Sequence, residues 1–153
     1  MKLRTQFNEW HEINGLWQVM AALSLLGSTE QEDSFLVCDN ETGGFFQVAK
    51  WQPGQYIVEW CDSNDPASPE HGLWRAQTQR FSGALLESGN KETGQANLYE
   101  NDLLSLPDVL DVLAAFWHGG DWPRRLSWRS LAAEMKEFIQ FNDDKHGRMT
   151  LTE

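Results

Sequence analysis

The stretch that decides the fold spans residues 43–61 and reads Gly-Gly-Phe-Phe-Gln-Val-Ala-Lys-Trp-Gln-Pro-Gly-Gln-Tyr-Ile-Val-Glu-Trp-Cys. Two runs rich in aromatic and β-branched residues, 45–51 and 56–61, flank the turn signal Pro53-Gly54. This pattern is typical of a β-hairpin. Because neither run is cleanly polar on one side, we interpret the hairpin as the centre of a small antiparallel sheet with at least one side covered.

Apolar runs before and after the hairpin extend the predicted sheet. Residues 35–38 form a short continuous apolar run, which is typical of an interior strand. Residues 73–78 alternate and predict a fourth strand, and residues 3–13 favour an extended segment. Strands that follow one another directly are expected to pair as a meander.

Three segments have helical spacing. Residues 16–26 are apolar over a broad arc, so we expect a well-buried helix. Residues 106–118 carry helix-start signals and end at Gly119, and residues 128–140 predict a last helix capped by Ser127. Because strands and helices are segregated along the chain, we predict a single α+β domain with a mainly antiparallel sheet packed against about three helices.

The charge balance limits the classes of partner. The chain of 153 residues has 12 Lys and Arg against 23 Asp and Glu, a formal net charge of −11. Such a balance argues against binding nucleic acid or an anionic membrane through a general basic surface. It is compatible with a basic protein partner, which opposite charge would steer into contact. The alternative is that the charge simply keeps a soluble protein dispersed.

Two cysteines, Cys38 and Cys61, fall inside predicted strands. They are too few for a disulfide framework, so we predict buried, reduced, structural thiols in a reducing cytosol. The start Met-Lys-Leu-Arg-Thr-Gln leads into no hydrophobic signal region, and the apolar run 19–26 is too short to span a bilayer. These features predict a cytoplasmic location and no membrane partner.

Candidate catalytic groups are few, and we predict no catalytic residue, no metal site and no bound cofactor. The histidines lack zinc-ligand spacing. His118 falls in the last turn of a predicted helix, where it suits the helix dipole, and His71 lies in an acidic loop. Glu59 is a carboxylate inside a strand, either paired, facing solvent, or functional. A rival hypothesis therefore places an unrecognised enzymatic site around Glu59, His71 or His118.

Acidic loops and tryptophans supply candidate partner-binding groups. Eight tryptophans are many for this length, and an exposed one beside acidic loops would anchor a protein partner. For each tryptophan taken singly, packing in the core is the alternative. The candidate partner-binding residues are Asp39, Glu41, Glu59, Asp62, Asp65, Glu70, Trp74 and Trp122.

A family resemblance joins several of these segments. Its parts are Gly-Gly-Phe-Phe-Gln-Val-Ala at residues 43–49, Tyr-Ile-Val-Glu-Trp at 56–60, a helix ending Phe-Trp-His-Gly-Gly at 116–120, and Trp128. This pattern, over residues 35–128, resembles the Imm1-type immunity proteins of bacterial polymorphic-toxin and contact-dependent inhibition systems. The resemblance implies a non-enzymatic cytosolic protein that binds and neutralises a cognate toxin domain of nuclease or deaminase type. The alternatives are a small α+β enzyme of unknown reaction, or a chaperone or adaptor for a secreted effector.

Overall fold

The computed structural model describes residues 1–5, 9–26, 35–39, 44–61, 72–79, 83–119 and 121–146. Within them lie a seven-stranded antiparallel sheet, a two-stranded ribbon and three α-helices, which confirms the predicted α+β class. No helix in this part of the chain is long and apolar enough to cross a membrane. The elements in chain order are β1 (Lys2–Thr5), β2 (His11–Glu12), α1 (Leu16–Leu25), β3 (Phe35–Asp39), β4 (Phe45–Gln52), β5 (Gln55–Cys61), β6 (Leu73–Thr78), β7 (Leu85–Glu87), β8 (Leu98–Tyr99), a 3-10 turn (Glu100–Asp102), α2 (Leu106–His118), β9 (Leu126–Ser130) and α3 (Ala132–His146).

The large sheet has the strand order β2-β1-β3-β4-β5-β6-β9. The predicted hairpin is its middle pair, with Phe46 opposite Trp60 and Val48 opposite Val58. Gly54 closes the turn at φ 77°, a left-handed conformation that glycine adopts at little cost. Strands β3 to β6 follow one another in the sheet, so the meander prediction is confirmed. β7 and β8 pair with each other outside it.

The two faces of the sheet differ in chemistry. On the face we call the helix face, Phe46, Val48 and Val58 are fully buried and belong to one core cluster with residues of α1 and α2. The opposite face, called here the polar face, carries the alternate positions of the same strands, among them Gln47 and Glu59. Directly opposed residues of an antiparallel pair share a face, so these assignments hold from strand to strand.

Helix α2 has the predicted bounds. Its start is fixed by Ser105, whose Oγ accepts a hydrogen bond from Asp108 N at 3.4 Å and donates one to Asp108 Oδ2 at 2.9 Å. Its end is fixed by Gly119 in the left-handed conformation, with φ 63°. Between them Leu113 is fully buried and Phe116 stacks on Phe46 with ring centroids 5.5 Å apart. Both termini follow from local sequence signals.

Helix α1 departs from its prediction. Val19 and Leu23 are buried, but Trp17, Met20 and Leu25 are 69%, 43% and 63% exposed. The expectation of a well-buried helix is therefore wrong. A helix with a broad apolar arc is fully buried only when other elements cover both of its sides. Only the side of α1 that carries Val19 and Leu23 packs on the core.

Residues 126–130 also depart from the prediction. The expected helix over 128–140, capped by Ser127, is wrong at its start, because Trp128 lies in β9 opposite Ala76 of β6. Leu126, Trp128 and Ser130 alternate toward the helix face, and pairing satisfies the backbone groups along the edge of β6. Helix α3 begins at Ala132, whose N–H donates to Ser130 Oγ at 3.2 Å.

Candidate functional site: a tryptophan cluster at one end of the sheet

Three tryptophans pack against one another on the helix face, and a fourth lies opposite one of them in the sheet. Trp60 of β5 lies 5.1 Å from Trp122 and 5.9 Å from Trp128, and Trp122 lies 4.9 Å from Trp128, all between ring centroids. The rings are inclined to one another by 58–62°, a geometry that aromatic pairs favour. Trp74 of β6 lies directly opposite Trp60 in the sheet register. We call Trp60, Trp74, Trp122 and Trp128 the tryptophan cluster.

The cluster lies at an open end of the helix face. All four side chains are half-buried, whereas the phenylalanine and valine positions nearer the middle of the same face are fully buried. Ser130, opposite Trp74 in the register and on the same face, is exposed. The core therefore ends in a partly solvent-exposed aromatic surface.

The connector that carries Trp122 is tied to helix α2. Arg125 donates from Nε to Asp108 Oδ1 at 2.8 Å, and its Nη2 donates to Asp111 Oδ2. These hydrogen bonds, first to Asp108 and then to Asp111, raise the pKa of the Arg125 guanidinium. With Gly119 turning the chain at one end and Arg125 bound at the other, Trp122 is held against the sheet.

The polar face carries an ion network that spans β5, β6 and β9. Arg75 donates to Glu59 Oε1 at 2.6 Å from Nη2 and 3.0 Å from Nε, and Gln47 Nε2 donates to Glu59 Oε2 at 3.3 Å. Arg129 lies directly opposite Arg75 in the register and donates to Asp102 Oδ2 at 3.1 Å. The Asp102 side chain has no exposed area. We call Glu59, Arg75, Asp102, Arg129 and Glu134 the ion network.

The network also ties the 3-10 turn and the start of α3 to the sheet. Arg129 Nη1 donates to Glu134 Oε1 at 2.9 Å, and both arginines donate to the carbonyl oxygen of Asn97. Burial lowers the pKa of Arg129, but its hydrogen bonds with Asp102 and Glu134 outweigh that effect and raise it. The arginine thus remains a cation, as a structural counter-ion requires.

The predicted partner-binding residues are only partly located. Glu59 lies in the ion network with a side chain 14% exposed, and Asp39 lies on the same face at the end of β3, half-buried. Trp122 packs against Trp60 and Trp128, and Trp74 lies opposite Trp60 in the register, so both belong to the tryptophan cluster. Four further carboxylates lie outside the described residues: Glu41, Asp62, Asp65 and Glu70. The segment holding the last three joins Cys61 to Gly72, and so connects the strand ends next to Trp60 and Trp74.

The residues of the enzyme hypothesis do not converge where they can be located. Glu59 points to the polar face and is bound to Arg75, whereas His118 is exposed at the end of α2 on the other side of the sheet. His71 lies outside the described residues. No group of three or more His, Cys, Asp or Glu side chains in the described ranges has the spacing to hold a metal ion.

The two cysteines lie on opposite faces. Cys38 is opposite Phe46 and fully buried, whereas Cys61 is opposite Phe45 and half-buried. Both are free thiols, as predicted, although Cys61 is less buried than expected. Burial raises the pKa of the Cys38 thiol to about 12, so it stays protonated and poorly nucleophilic at neutral pH.

A polar cleft lies between residues 87–97 and helix α3. It encloses about 620 Å³, and its walls include the carboxylates Glu87, Glu92, Glu134 and Glu137. Two of these already have partners, since Glu87 accepts from Gln95 and Glu134 from Arg129. Sequence reasoning missed this cleft because its walls come from two elements that only the tertiary structure brings together.

Trp60 and Trp128 were not predicted as site residues. The helical spacing of residues 128–140 predicts a helix position for Trp128, whereas a strand position places it on the same face of the sheet as Trp74.

Comparison with models of known protein families finds no match to this chain, and comparison with curated protein sequences also finds none.

Proposed function

We propose that this chain is a binding protein that captures a basic protein domain, and that it acts in the bacterial cytoplasm as the immunity protein of a toxin. The observation that carries the proposal is the tryptophan cluster at the open end of the helix face. Tryptophan is among the side chains most enriched at the energetic hot spots of protein interfaces. It offers a large rigid contact area at low entropic cost.

The charge of the chain supports the kind of partner. At a net charge of −11, association with a cationic protein is accelerated and association with another anion is opposed. Asp121 is exposed directly beside Trp122, and the segment with Asp62, Asp65 and Glu70 is attached at the Trp60 and Trp74 end. A nuclease or deaminase toxin, which acts on nucleic acid, would supply the complementary basic surface.

The ion network supports a rigid binding platform. It fixes the polar face through charged and polar contacts while the helix face ends in aromatic surface. In this proposal Glu59 is a structural residue that positions Arg75, and the tryptophans contact the partner. A platform that is already ordered loses less entropy on binding than a flexible one.

The test uses the C-terminal domain of the toxin encoded next to this chain's own gene. Binding is measured by calorimetry with the unaltered chain and with Trp74→Ala, Trp122→Ala and Trp51→Ala. Trp51 is the matched control because it is 37% exposed in β4, one strand beyond β5. We expect Trp74→Ala or Trp122→Ala to weaken binding at least about 30-fold, as hot-spot truncations do, and Trp51→Ala to have little effect.

Thermal unfolding of each variant shows whether a lost interaction reflects lost structure. Full binding by a folded Trp74→Ala, Trp122→Ala double variant would overturn the assignment of the site. Failure of the unaltered chain to bind the toxin domain or protect it from acting would overturn the immunity proposal.

A further inference from the structure

Helix α1 is unusual in carrying no charged side chain. Its ten residues read Leu-Trp-Gln-Val-Met-Ala-Ala-Leu-Ser-Leu, in a chain of which 23% of residues are charged. Its exposed ridge consists of Trp17, Met20, Ala21, Ser24 and Leu25. Contiguous exposed apolar surface marks an interaction site more often than single scattered apolar residues do.

The ridge is held in a fixed orientation. Gln18 Oε1 accepts hydrogen bonds from the N–H groups of Asn14 and Gly15 at 2.7 and 3.2 Å, which closes the start of the helix. Lys50 Nζ donates to the carbonyl oxygen of Leu26 at 3.1 Å, just beyond its end. Val19 and Leu23 are buried in the core. The exposed ridge is therefore a built surface of the fold and is presented the same way in every copy.

The row Trp17–Ala21–Leu25 of the ridge is symmetric in side-chain size about Ala21. Trp17 and Leu25, its two most exposed large side chains, lie four residues on either side of Ala21. Each spacing of four residues is about 6 Å along the axis and keeps the side chains on one ridge. On the row formed by Trp17, Ala21 and Leu25, the small Ala21 side chain leaves a shallow centre between two large ends, and Met20 and Ser24 lie on the row beside it. Such a ridge is complementary to a second copy of itself running in the opposite direction.

The distribution of charge also favours a second copy of this chain as the partner of the α1 ridge. Two copies with net charge −11 repel one another wherever carboxylates face each other, and α1 has none. A basic partner, by contrast, gains nothing electrostatic from a helix without anionic side chains. Antiparallel alignment also sets the positive end of each helix dipole beside the negative end of the other.

We propose that two copies of this chain associate through α1, about a two-fold axis that passes beside Ala21. Trp17 of one copy packs against Leu25 of the other, twice, and the two Ala21 side chains meet at the axis. A ten-residue helix is about 15 Å long, so the contact is smaller than the roughly 800 Å² per partner of a stable interface. The dimer is accordingly weak, and its population rises with concentration. This inference is independent of the proposed toxin binding.

The first test is sedimentation velocity over a range of concentrations, at low and at moderate salt. We expect a monomer–dimer equilibrium that shifts toward dimer as salt screens the repulsion between the two acidic copies. Ala21→Glu sets two carboxylates against each other at the axis and should raise the dissociation constant at least about tenfold. Leu85→Glu is the matched control. Leu85 is 52% exposed in β7, away from α1, and its substitution by Glu changes the net charge by the same amount as Ala21→Glu.

The second test reports the geometry. In a Cys61→Ser background, Ala21→Cys should form a disulfide between two copies under mild oxidation, while Leu85→Cys should not. A chain that stays monomeric at every concentration overturns the proposal. The proposal is also overturned if Ala21→Glu and Leu85→Glu raise the dissociation constant of the dimer equally. It is overturned as well if the chain dimerises but Ala21→Cys forms no disulfide between the two copies.

Discussion

At the residue scale, Asp102 is the centre of the ion network. Its carboxylate accepts hydrogen bonds from Gln77 Nε2 at 2.8 Å, Tyr99 N at 3.0 Å and Arg129 Nη2 at 3.1 Å. Arg75 Nη1 lies 3.5 Å away. Arg75 and Arg129 are directly opposite on neighbouring strands, an arrangement that like charges make unfavourable without a counter-ion. Asp102, whose side chain is fully buried, supplies that counter-ion to both arginines.

Asp102→Asn should therefore destabilise the fold strongly. The substitution keeps the shape of the side chain but leaves the Arg75 and Arg129 guanidinium groups with one carboxylate each, Glu59 and Glu134, and loss of a charged partner at a buried site costs about 3 kcal/mol. Urea unfolding at pH 7 measures the effect. Asp111→Asn is the control, because Asp111 pairs with Arg125 at the surface and such pairs contribute at most about 1 kcal/mol. Similar small losses in both variants would show that the network is not a stabilising unit.

The thiols give a second prediction at this scale. Cys61, half-buried on the polar face, should react with a thiol reagent in the native protein at pH 8, while Cys38 should react only after unfolding. A labelling experiment followed by peptide mass analysis distinguishes the two. Equal rates for both cysteines would contradict the different burial.

Cys38 also predicts a pH dependence of stability. Its folded pKa, about 12, lies above that of an unfolded thiol, so its contribution is fully present below about pH 8.5 and is lost as pH rises toward 12. The stability difference between the unaltered chain and Cys38→Ala should shrink on the order of 1–2 kcal/mol between pH 8.5 and pH 10. Urea melts of both proteins at the two pH values measure it. A difference that stays constant would mean that Cys38 ionises as easily in the folded state.

At the scale of elements, α2 and α3 contribute unequally to the core. α2 presents fully buried side chains such as Leu113 to the sheet, whereas Phe138 of α3 is half-buried near Gly94 of the 90–95 turn. The sequence stripes of the two helices look equivalent. What separates them is position, since α2 covers the middle of the helix face and α3 follows the edge strand β9.

Leu113→Ala should cost about 2–5 kcal/mol in unfolding free energy, because it opens a cavity in a fully buried site. Phe138→Ala should cost less, because a half-buried side chain gives up less apolar surface and water refills the gap. Paired urea melts of the two variants compare them directly. A larger loss for Phe138→Ala would make α3 part of the main core.

At the scale of the whole molecule, charge and aromatic surface have separate roles in the proposed function. The net charge of −11 acts over distance and governs how fast a basic partner arrives. The tryptophan cluster acts on contact and governs how long the partner stays. The two contributions can therefore be separated by measuring association and dissociation rates.

Asp62→Lys with Glu70→Lys should slow association with the toxin domain and leave dissociation nearly unchanged, and the slowing should diminish as salt is raised. Electrostatic steering is screened over about 10 Å at 0.1 M salt. Glu92→Lys with Glu137→Lys is the control, because it changes net charge equally but alters the cleft beside α3. Stopped-flow or surface-based kinetics measure both rates. Equal slowing by the two pairs would show that overall charge, and not the 62–71 segment, steers the partner.

The sequence by itself determined the central hairpin, the order of strands in the meander and both ends of α2. These features depend on neighbouring residues: Pro53-Gly54 sets a turn, alternating aromatic and β-branched residues set strands, and Ser105 and Gly119 set the helix ends. Their physical causes act over a few residues of chain. Such causes can be read without knowing what lies beside the segment.

Only the tertiary structure decided that residues 126–130 are a strand, that Trp60, Trp122 and Trp128 pack together, and that Glu59 is bound to Arg75. Each depends on which strand edge lies free for pairing and which side chains a distant segment brings to the same face. The local sequence of residues 126–130 is compatible both with the first turn of a helix and with a strand. Pairing with the edge of β6 satisfies a row of backbone groups, and that long-range gain exceeds the small local preference for a helix.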